Sequence, residues 1–487
     1  MSRASDAAPP RPEPLAEGRD PNRWRALSVC LVAGFMALMD VSIVNVALPS
    51  IREGLHASDS DLQWIVSGYA LTFGLVLVPS GRLGDTRGRR TMFIVGVALF
   101  TLSSLSAGLS PTPTALVVAR LVQGIGGGLI SPQINGLIQE LFRGAERGKA
   151  FGLFGATVGV STAIGPLLGG LIIRGLGTDT GWRWIFFVNL PIGILCILLA
   201  FRYIRARHEN GRAGEDLDPV GVVLLGAAVL AVLLPLVQER QWPGPTKWWL
   251  LLVGVALFGA FAWWEHRHAS RGGAPLVDLG LFRIESYSSG VTIGLLYFSG
   301  FTSVFFILTL YLQLGLGYSA LLAGLTLTPF ALGSAVAAAL GGRIVTRYGR
   351  PLVAAGLLVV LLGLVLVDLV VTVRGQDPGW WIVLPLLVAG LGSGFVISPN
   401  VTLTVSEVPV PRAGTAGGVL QTGQRIGTAA GIALIGSVFF GTLGSTRGDF
   451  AQAASHGLRV TVVLVAVALV AALVDVVAAR RQARHRS

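Results

Sequence analysis

Long apolar segments alternate with short polar ones along almost the whole chain. Fourteen segments are long and apolar enough to form membrane spans, since a spanning helix needs about 20 predominantly apolar residues. The first covers residues 26–49, the eighth 248–264 and the last 459–477. The pattern predicts an all-α membrane protein with fourteen transmembrane helices.

Composition supports this class and excludes others. The 487 residues are 53% hydrophobic and 13% charged, which is too apolar for an ordinary soluble domain. A net charge of +12 does not indicate nucleic-acid binding, because that requires a basic patch on a folded domain, whereas most arginines here lie in short loops. Cys30 and Cys196 lie in apolar segments, so neither a disulfide framework nor a metal site is expected.

The basic residues define the topology. With both ends and alternate loops placed in the cytoplasm, 27 of the 37 Lys and Arg residues fall there, 8 fall outside and 2 fall within spans. Positive charge favours the cytoplasmic side, so both termini are expected to be cytoplasmic. Residues 1–25 are expected to form a disordered tail without a signal peptide, and residues 480–487 a basic tail.

An internal repeat divides the chain. GRLGDTRGRR at residues 81–90 is echoed by GRIVTRYGRP at 342–351. This predicts two six-helix bundles, at 26–205 and 271–479, with a linker and inserted helices 7 and 8 at 206–270. Transporters built from two parallel repeats bind substrate near the bilayer midplane, between the halves.

One carboxylate, Asp40, lies inside the first span. A charge at that depth costs roughly 2.5 to 3.5 kcal/mol on insertion scales and is functional by default. Moving a proton is the obvious role. The alternative is a structural carboxylate paired with a neighbouring helix.

Arg120 in span 4 is expected at nearly the same depth as Asp40. Gln123, Gly124 and Gly127 share its helix face, because they follow it at spacings of three, four and seven. A nearby fixed positive charge would favour the ionised carboxylate and help it release a proton. The alternative is an ion pair that only fixes helix packing.

Several motifs resemble those of a known family. GRLGDTRGRR resembles the signature loop of the major facilitator superfamily, and MDVSIVNVALP, RLVQGIGGG, GPLLGG and WRWIFFVNLPIG resemble motifs of its fourteen-span drug:proton antiporters. The resemblance covers nearly everything after Asn22. It implies the major facilitator fold, proton-coupling roles for Asp40 and Arg120, and an antiporter motif in span 5. That motif comprises Gly159, Gly165, Pro166, Gly169 and Gly170, which by themselves indicate only a tight, bent helix interface.

The signature loop offers exchangeable charge pairs that could latch one conformational state. Glycines permit close helix approach there, and Asp85 stands among several arginines. The alternative for the arginines is a positive-inside anchor. Thr346 replaces the aspartate in the second copy, so we expect an asymmetric latch. The residues assigned to it are Gly81, Arg82, Asp85, Gly88, Arg89 and Arg90.

Polar and aromatic side chains within apolar spans are candidates for the substrate site. Aromatic groups in such positions often serve packing instead. Asp368, near the outer end of span 11, is a secondary ionisable candidate, and Asp475 is expected to pair with Arg480 on its own helix. The substrate candidates are Asn45, Gln123, Tyr297, Asn400, Gln421, Gln424 and Arg425.

Together these features favour a proton-coupled antiporter of the inner (cytoplasmic) membrane that exports small hydrophobic, cationic or amphiphilic drugs or antibiotics by alternating access. Its expected partners are substrate, protons and lipid. No nucleotide-binding motif, metal set or catalytic constellation is apparent, so we expect a monomeric non-enzyme without a cofactor, driven by the proton gradient. The alternatives are a dedicated exporter of one secreted metabolite or antibiotic and a non-transporting membrane sensor.

Overall fold

The computed structural model describes residues 20–205, 218–238, 242, 244–375 and 377–486. Most of the expected N-terminal tail and residues 206–217 of the expected linker lie outside these ranges. All regular secondary structure within them is helical. The α-helices are α1 (Arg23–Leu55), α2 (Asp59–Arg87), α3 (Arg89–Gly108), α4 (Pro113–Leu141), α5 (Gly144–Leu176), α6 (Thr178–Phe187), α7 (Asn189–Tyr203), α8 (Pro219–Val237), α9 (Trp249–Ser270), α10 (Glu285–Leu310), α11 (Ala320–Tyr348), α12 (Arg350–Arg374), α13 (Val383–Thr404), α14 (Ala413–Ser445) and α15 (Phe450–Arg486).

Fourteen helical segments within the described ranges are long and apolar enough to cross a membrane, which confirms the predicted number. The helices extend beyond the apolar runs: the first reaches Leu55, and the last begins at Phe450. Hydropathy marks where a span leaves the hydrocarbon, whereas backbone hydrogen bonding can continue the helix into polar surroundings. The sequence pattern therefore underestimates helix length.

The sixth span is interrupted at Val188, between α6 and α7. Pro191 has no N–H to donate to the carbonyl four residues earlier, which weakens the helix at this point. The Ser104 hydroxyl of α3 donates to the Phe186 carbonyl at 2.9 Å. The interruption leaves Asn189 as the first residue of α7.

Each half has its own apolar core. The second half contains buried side chains of α10, α12, α13 and α15. Two further clusters lie mainly in the first half, and one of them also includes Val401, Val405 and Leu420 of the second half. The inserted helices α8 and α9 lie beside the junction of α2 and α14, where Val229, Leu233 and Phe261 join a shared cluster with Leu71.

The halves meet through two equivalent pairs of helices, α2 with α14 and α5 with α11. Gly81 lies against Gly414, and Gly148 lies against Gly342, so closely that a Cβ on any of the four would overlap the partner's backbone. All four lie at the end that the charge distribution assigns to the cytoplasm. The cytoplasmic side of the junction between the halves is therefore closed in this conformation.

Asp475 of α15 pairs with Arg350 of α12. The side chain of Arg480, the expected partner on its own helix, lies outside the described part of the structure. The two helices pack along their length, and a partner on a neighbouring helix lets both charges remain within the bundle.

Candidate functional site

Asp40 and Arg120 form an ion pair between α1 and α4. The Asp40 side chain is 0% exposed and the Arg120 side chain 1%. Breaking such a buried pair from one side costs about 3 to 5 kcal/mol, because the remaining charge is left without compensation. The predicted match in depth thus corresponds to direct contact.

Two amides complete the binding of the Asp40 carboxylate. Gln123 Nε2 donates to Oδ1 at 3.0 Å, and Asn189 Nδ2 donates to the same oxygen at 2.9 Å. Asn189 also donates to the Ser104 hydroxyl at 3.0 Å. Sequence reasoning missed Asn189, although it is a polar residue in an apolar run, inside a motif of the resemblance.

Arg120 is held on its other sides by α2. Its Nε donates to the Ile65 carbonyl at 3.1 Å, and its guanidinium lies 4.3 Å from the centre of the Tyr69 ring. A Cβ at Gly127 would lie 2.8 Å from the Tyr69 hydroxyl. The small residue therefore allows α4 to approach α2 closely enough for this arrangement.

The cluster contains one titratable carboxylate enclosed by polar partners. This carboxylate is balanced by one arginine and receives amide hydrogen bonds. A proton on Asp40 would neutralise the carboxylate and leave Arg120 without its counter-ion, which would change the contacts between α1, α4 and α7. Such groups within a membrane bundle are typical of proton pathways. No group of three or more metal-binding side chains occurs within the described ranges.

Asp85 of the signature loop contacts the start of α14 in the other half. Its carboxylate accepts from the backbone N–H groups of Gly414 at 3.0 Å and Thr415 at 2.8 Å, and from the Thr415 hydroxyl at 3.0 Å. A carboxylate at a helix N-terminus satisfies unpaired N–H groups and interacts favourably with the helix dipole. Asp85 therefore caps α14 across the junction of the halves.

Arg89 extends this connection. It pairs with Asp85 at 2.9 Å and with Glu140 of α4 at 2.9 Å, and it donates to the Val410 carbonyl of the second half at 2.6 Å. Sequence reasoning missed Glu140, a carboxylate at the end of span 4. The arrangement links the halves only while the cytoplasmic side is closed.

The other loop residues have different positions. Arg90 donates to the Phe201 carbonyl at 2.9 Å within its own half, as an anchor would. Gly88 has φ +97° between α2 and α3, a conformation that favours glycine. In the second copy, Arg350 occupies the position of Arg89 but pairs within its half.

The α5 motif faces two partners. A Cβ at Gly159 would lie 2.9 Å from the Ala331 carbonyl of α11, whereas one at Gly165 or Gly169 would press on Ser42 or Ile43 of α1. Pro166 lies beside Gly324 of α11. Gly170 has open space around it, so the structure does not bring it into this interface.

The substrate candidates separate into two groups. Tyr297 donates to the Ser393 hydroxyl at 2.7 Å and Asn400 to the Gly290 carbonyl at 2.9 Å, and both side chains are buried within the second half. Asp368 is bound by Arg459 and Ser455 at the outer end. These contacts occupy their polar groups.

The remaining candidates are more accessible. Gln421, Gln424 and Arg425 of α14 are half-buried, and Asn45 of α1 is exposed. Arg425 forms no ion pair with any described residue, and its guanidinium lies 4.5 Å from the centre of the Phe73 ring of α2. This charge lies about 18 Å along α14 from its cytoplasmic end, at 1.5 Å per residue, close to the expected depth of a substrate site.

Two helical halves, spans of membrane length and a buried charge cluster define a polytopic membrane transporter. The chain belongs to the major facilitator superfamily, whose family model matches residues 30–432. It is a transporter of the antibiotic and multidrug export type, and not an enzyme.

Two relatives and one solved structure illustrate this placement. The chain is 38% identical to a probable actinorhodin transporter of Streptomyces coelicolor over 90% of its own length and 76% of the relative. It is 35% identical to the puromycin resistance protein pur8 of Streptomyces alboniger, over 94% of its own length and 89% of the relative. The human organic anion transporter MFSD10 shares the fold, with a TM-score of 0.69 and 16% identity over 93% of this chain and 100% of that one.

Proposed function

We propose that the protein is a proton-coupled antiporter that exports small amphiphilic drugs or antibiotics across the inner membrane. The buried cluster of Asp40, Arg120, Gln123 and Asn189 is the observation that carries the proposal. It provides one titratable carboxylate, balanced by one arginine, on three helices of the same half. A change in its protonation would alter the packing of that half.

In this scheme Asp40 accepts a proton while the site faces outward. The Arg120 guanidinium, left without its counter-ion, then changes its contacts with α2 and α6, and this disfavours bound substrate. Release of the proton to the cytoplasm restores the ion pair, and substrate enters from the cytoplasm or the inner leaflet. The protein would act as a monomer, with no cofactor other than the proton gradient.

Asp85 would stabilise the state with a closed cytoplasmic side. Its hydrogen bonds to Gly414 and Thr415 exist only while α2 and the start of α14 are in contact. Separation of the halves would expose both the carboxylate and the helix N-terminus to water. The latch therefore favours one state without preventing exchange.

Uptake by inside-out vesicles tests the proposal. Ethidium and puromycin serve as probes, because one relative is named for puromycin resistance. We expect uptake that requires an imposed pH gradient and is abolished by Asp40→Asn. The matched control is Asp368→Asn, whose ion pair lies at the outer end, and it should retain uptake.

A dedicated exporter of one antibiotic remains the second candidate, supported by the relative named as a probable actinorhodin transporter. It predicts gradient-dependent transport of a single compound class and no uptake of ethidium. A sensor with the same fold predicts no transport at all, and function that survives neutralisation of Asp40.

A further inference from the structure

A second pair of buried carboxylates lies outside the cluster around Asp40, in the inserted helices. Asp218 immediately precedes α8 and is 3% exposed, and Glu265 near the end of α9 is 1% exposed. A Cβ placed on Gly221 would lie 2.6 Å from Asp218 Oδ2 and 2.6 Å from Glu265 Oε1. The two oxygens are therefore separated by at most twice that distance.

The two carboxylates differ in their hydrogen bonds. Asp218 Oδ1 accepts from the Gly221 N–H at 3.0 Å, and Oδ2 accepts from the Trp264 indole N–H at 2.7 Å. Within the described residues, neither oxygen of Glu265 accepts a hydrogen bond of good geometry, although the backbone N–H groups of Leu276 and Val277 lie near them. Donors stabilise the ionised form of a carboxyl group, whereas burial without a donor favours the neutral form.

Two adjacent buried carboxylates do not both remain ionised, because desolvation and mutual repulsion oppose the second charge. A protonated Glu265 would instead supply the donor that it lacks and direct it towards Asp218. A bound metal cation fits less well, since the N–H groups of Gly221 and Trp264 already occupy the Asp218 oxygens.

We propose that Asp218 and Glu265 share one bound proton, held on Glu265, and form a proton site in the inserted helix pair. The site is distinct from Asp40 and does not rest on the proposed antiport. The charged group facing Glu265 from α2 is Arg82 of the signature loop, that from α8 is Asp218, and the segment before α10 contributes the backbone of Leu276 and Val277.

The position of the site suggests its role. Glu265 lies five residues before the end of α9, about 8 Å from that end at 1.5 Å per residue, so its proton exchanges with the cytoplasm. Loss of the proton would place two negative charges between α8 and α9 and beside Arg82. The inserted pair would thereby connect cytoplasmic pH to the loop that contains Asp85.

Infrared spectroscopy of the purified full-length protein tests the site directly. At neutral pH we expect the wild type to show a carboxylic-acid C=O band that is absent from Glu265→Gln. Asp368→Asn, which alters an ion-paired carboxylate, should retain the band. An unchanged band in Glu265→Gln overturns the proposal. It is also overturned if the carboxylate bands shift only on addition of Na⁺, since that result indicates a cation site instead of a proton site.

Thermal unfolding supplies a second readout and shows whether the variant folds. A carboxyl that binds its proton more tightly in the folded state stabilises the protein at low pH, and this contribution is lost as the pH rises. The stability of the wild type should therefore decline between mildly acidic and neutral pH by an amount that Glu265→Gln lacks, so the melting temperature of the variant should fall less over this range. Equal slopes contradict the proposal, whatever the outcome of the transport assays.

Discussion

At the scale of single residues, the cluster around Asp40 shows how one carboxylate is accommodated inside a membrane bundle. Its charge is balanced by Arg120, and amides of Gln123 and Asn189 occupy Oδ1. Removing any one of these partners would leave a buried polar or charged group without compensation.

Replacing Asn189 with Ala should slow gradient-driven uptake. The Asp40 carboxylate would lose a 2.9 Å hydrogen bond, worth about 1 kcal/mol, which holds it in place beside Arg120. A loss of this size corresponds to roughly a 5-fold lower initial rate, measured in vesicles at equal membrane abundance. Ser103→Ala, which removes a hydroxyl bound only to its own helix, should leave the rate unchanged.

Arg425 is expected to contact substrate, because it is a half-buried charge without an ion-pair partner in the part of the chain that the structure describes. Arg425→Ala should raise KM about 5- to 30-fold, as expected for the loss of roughly 1 to 2 kcal/mol of charge and ring contacts. Arg425→Lys should recover part of this loss. A normal KM in the alanine variant, with correct insertion, would remove Arg425 from the substrate site.

At the scale of elements, close helix contacts position these residues. The α5 helix touches α1 through Gly165 and Gly169 and the other half through Gly159, so one helix connects the surroundings of Asp40 with the junction of the halves. The glycines of this motif nevertheless differ in their contacts, since a Cβ on Gly170 would meet no other residue.

Gly165→Ala should reduce transport at least tenfold, whereas Gly170→Ala should be almost neutral. The new methyl group at position 165 would overlap Ser42, two residues from Asp40, and the one at 170 would enter open space. Overpacking of this kind costs about 1 to 3 kcal/mol. Initial uptake rates at equal membrane abundance check the comparison, and similar losses in both variants would refute it.

The sequence predicted most elements and only part of the site. The spans could be predicted because the bilayer imposes a minimum apolar length. Asp40 and Arg120 could be identified as site residues because charge inside a span is rare. Asn189 was missed because nothing in the linear pattern shows that a helix interruption directs it towards Asp40. The contact between Asp475 and Arg350 was not predicted, because charge pairing depends on which helices adjoin, and spacing along one helix does not reveal that.

At the scale of the whole molecule, closure of the cytoplasmic side depends on contacts between the halves. Glycine pairs set the distance between helices, and Asp85 adds charge at the start of α14. Only one of the two repeated loops has this carboxylate, since Thr346 occupies the second position. The charged contact between the halves is therefore asymmetric although the glycine contacts are paired.

Asp85→Asn should shift the population towards states open to the cytoplasm. Losing a charged cap costs about 1 to 2 kcal/mol, which corresponds to roughly a 5- to 30-fold change in population. Ser398 is buried against Gly155 of the other half. A cysteine introduced by Ser398→Cys, in a chain from which Cys30 and Cys196 have been removed, therefore reports whether the halves separate. Cytoplasmic maleimide should label it faster when Asp85 is replaced, and an unchanged rate would argue against the latch.

Proton movement measured together with substrate movement tests the central claim most directly. In proteoliposomes with an internal pH indicator, substrate transport by the wild type and by Asp368→Asn should produce a proton flux in the opposite direction. Asp40→Asn, inserted in equal amount, should produce none. If Asp40→Asn retains the coupled proton flux, Asp40 is not the coupling residue, and the account given for the cluster is wrong.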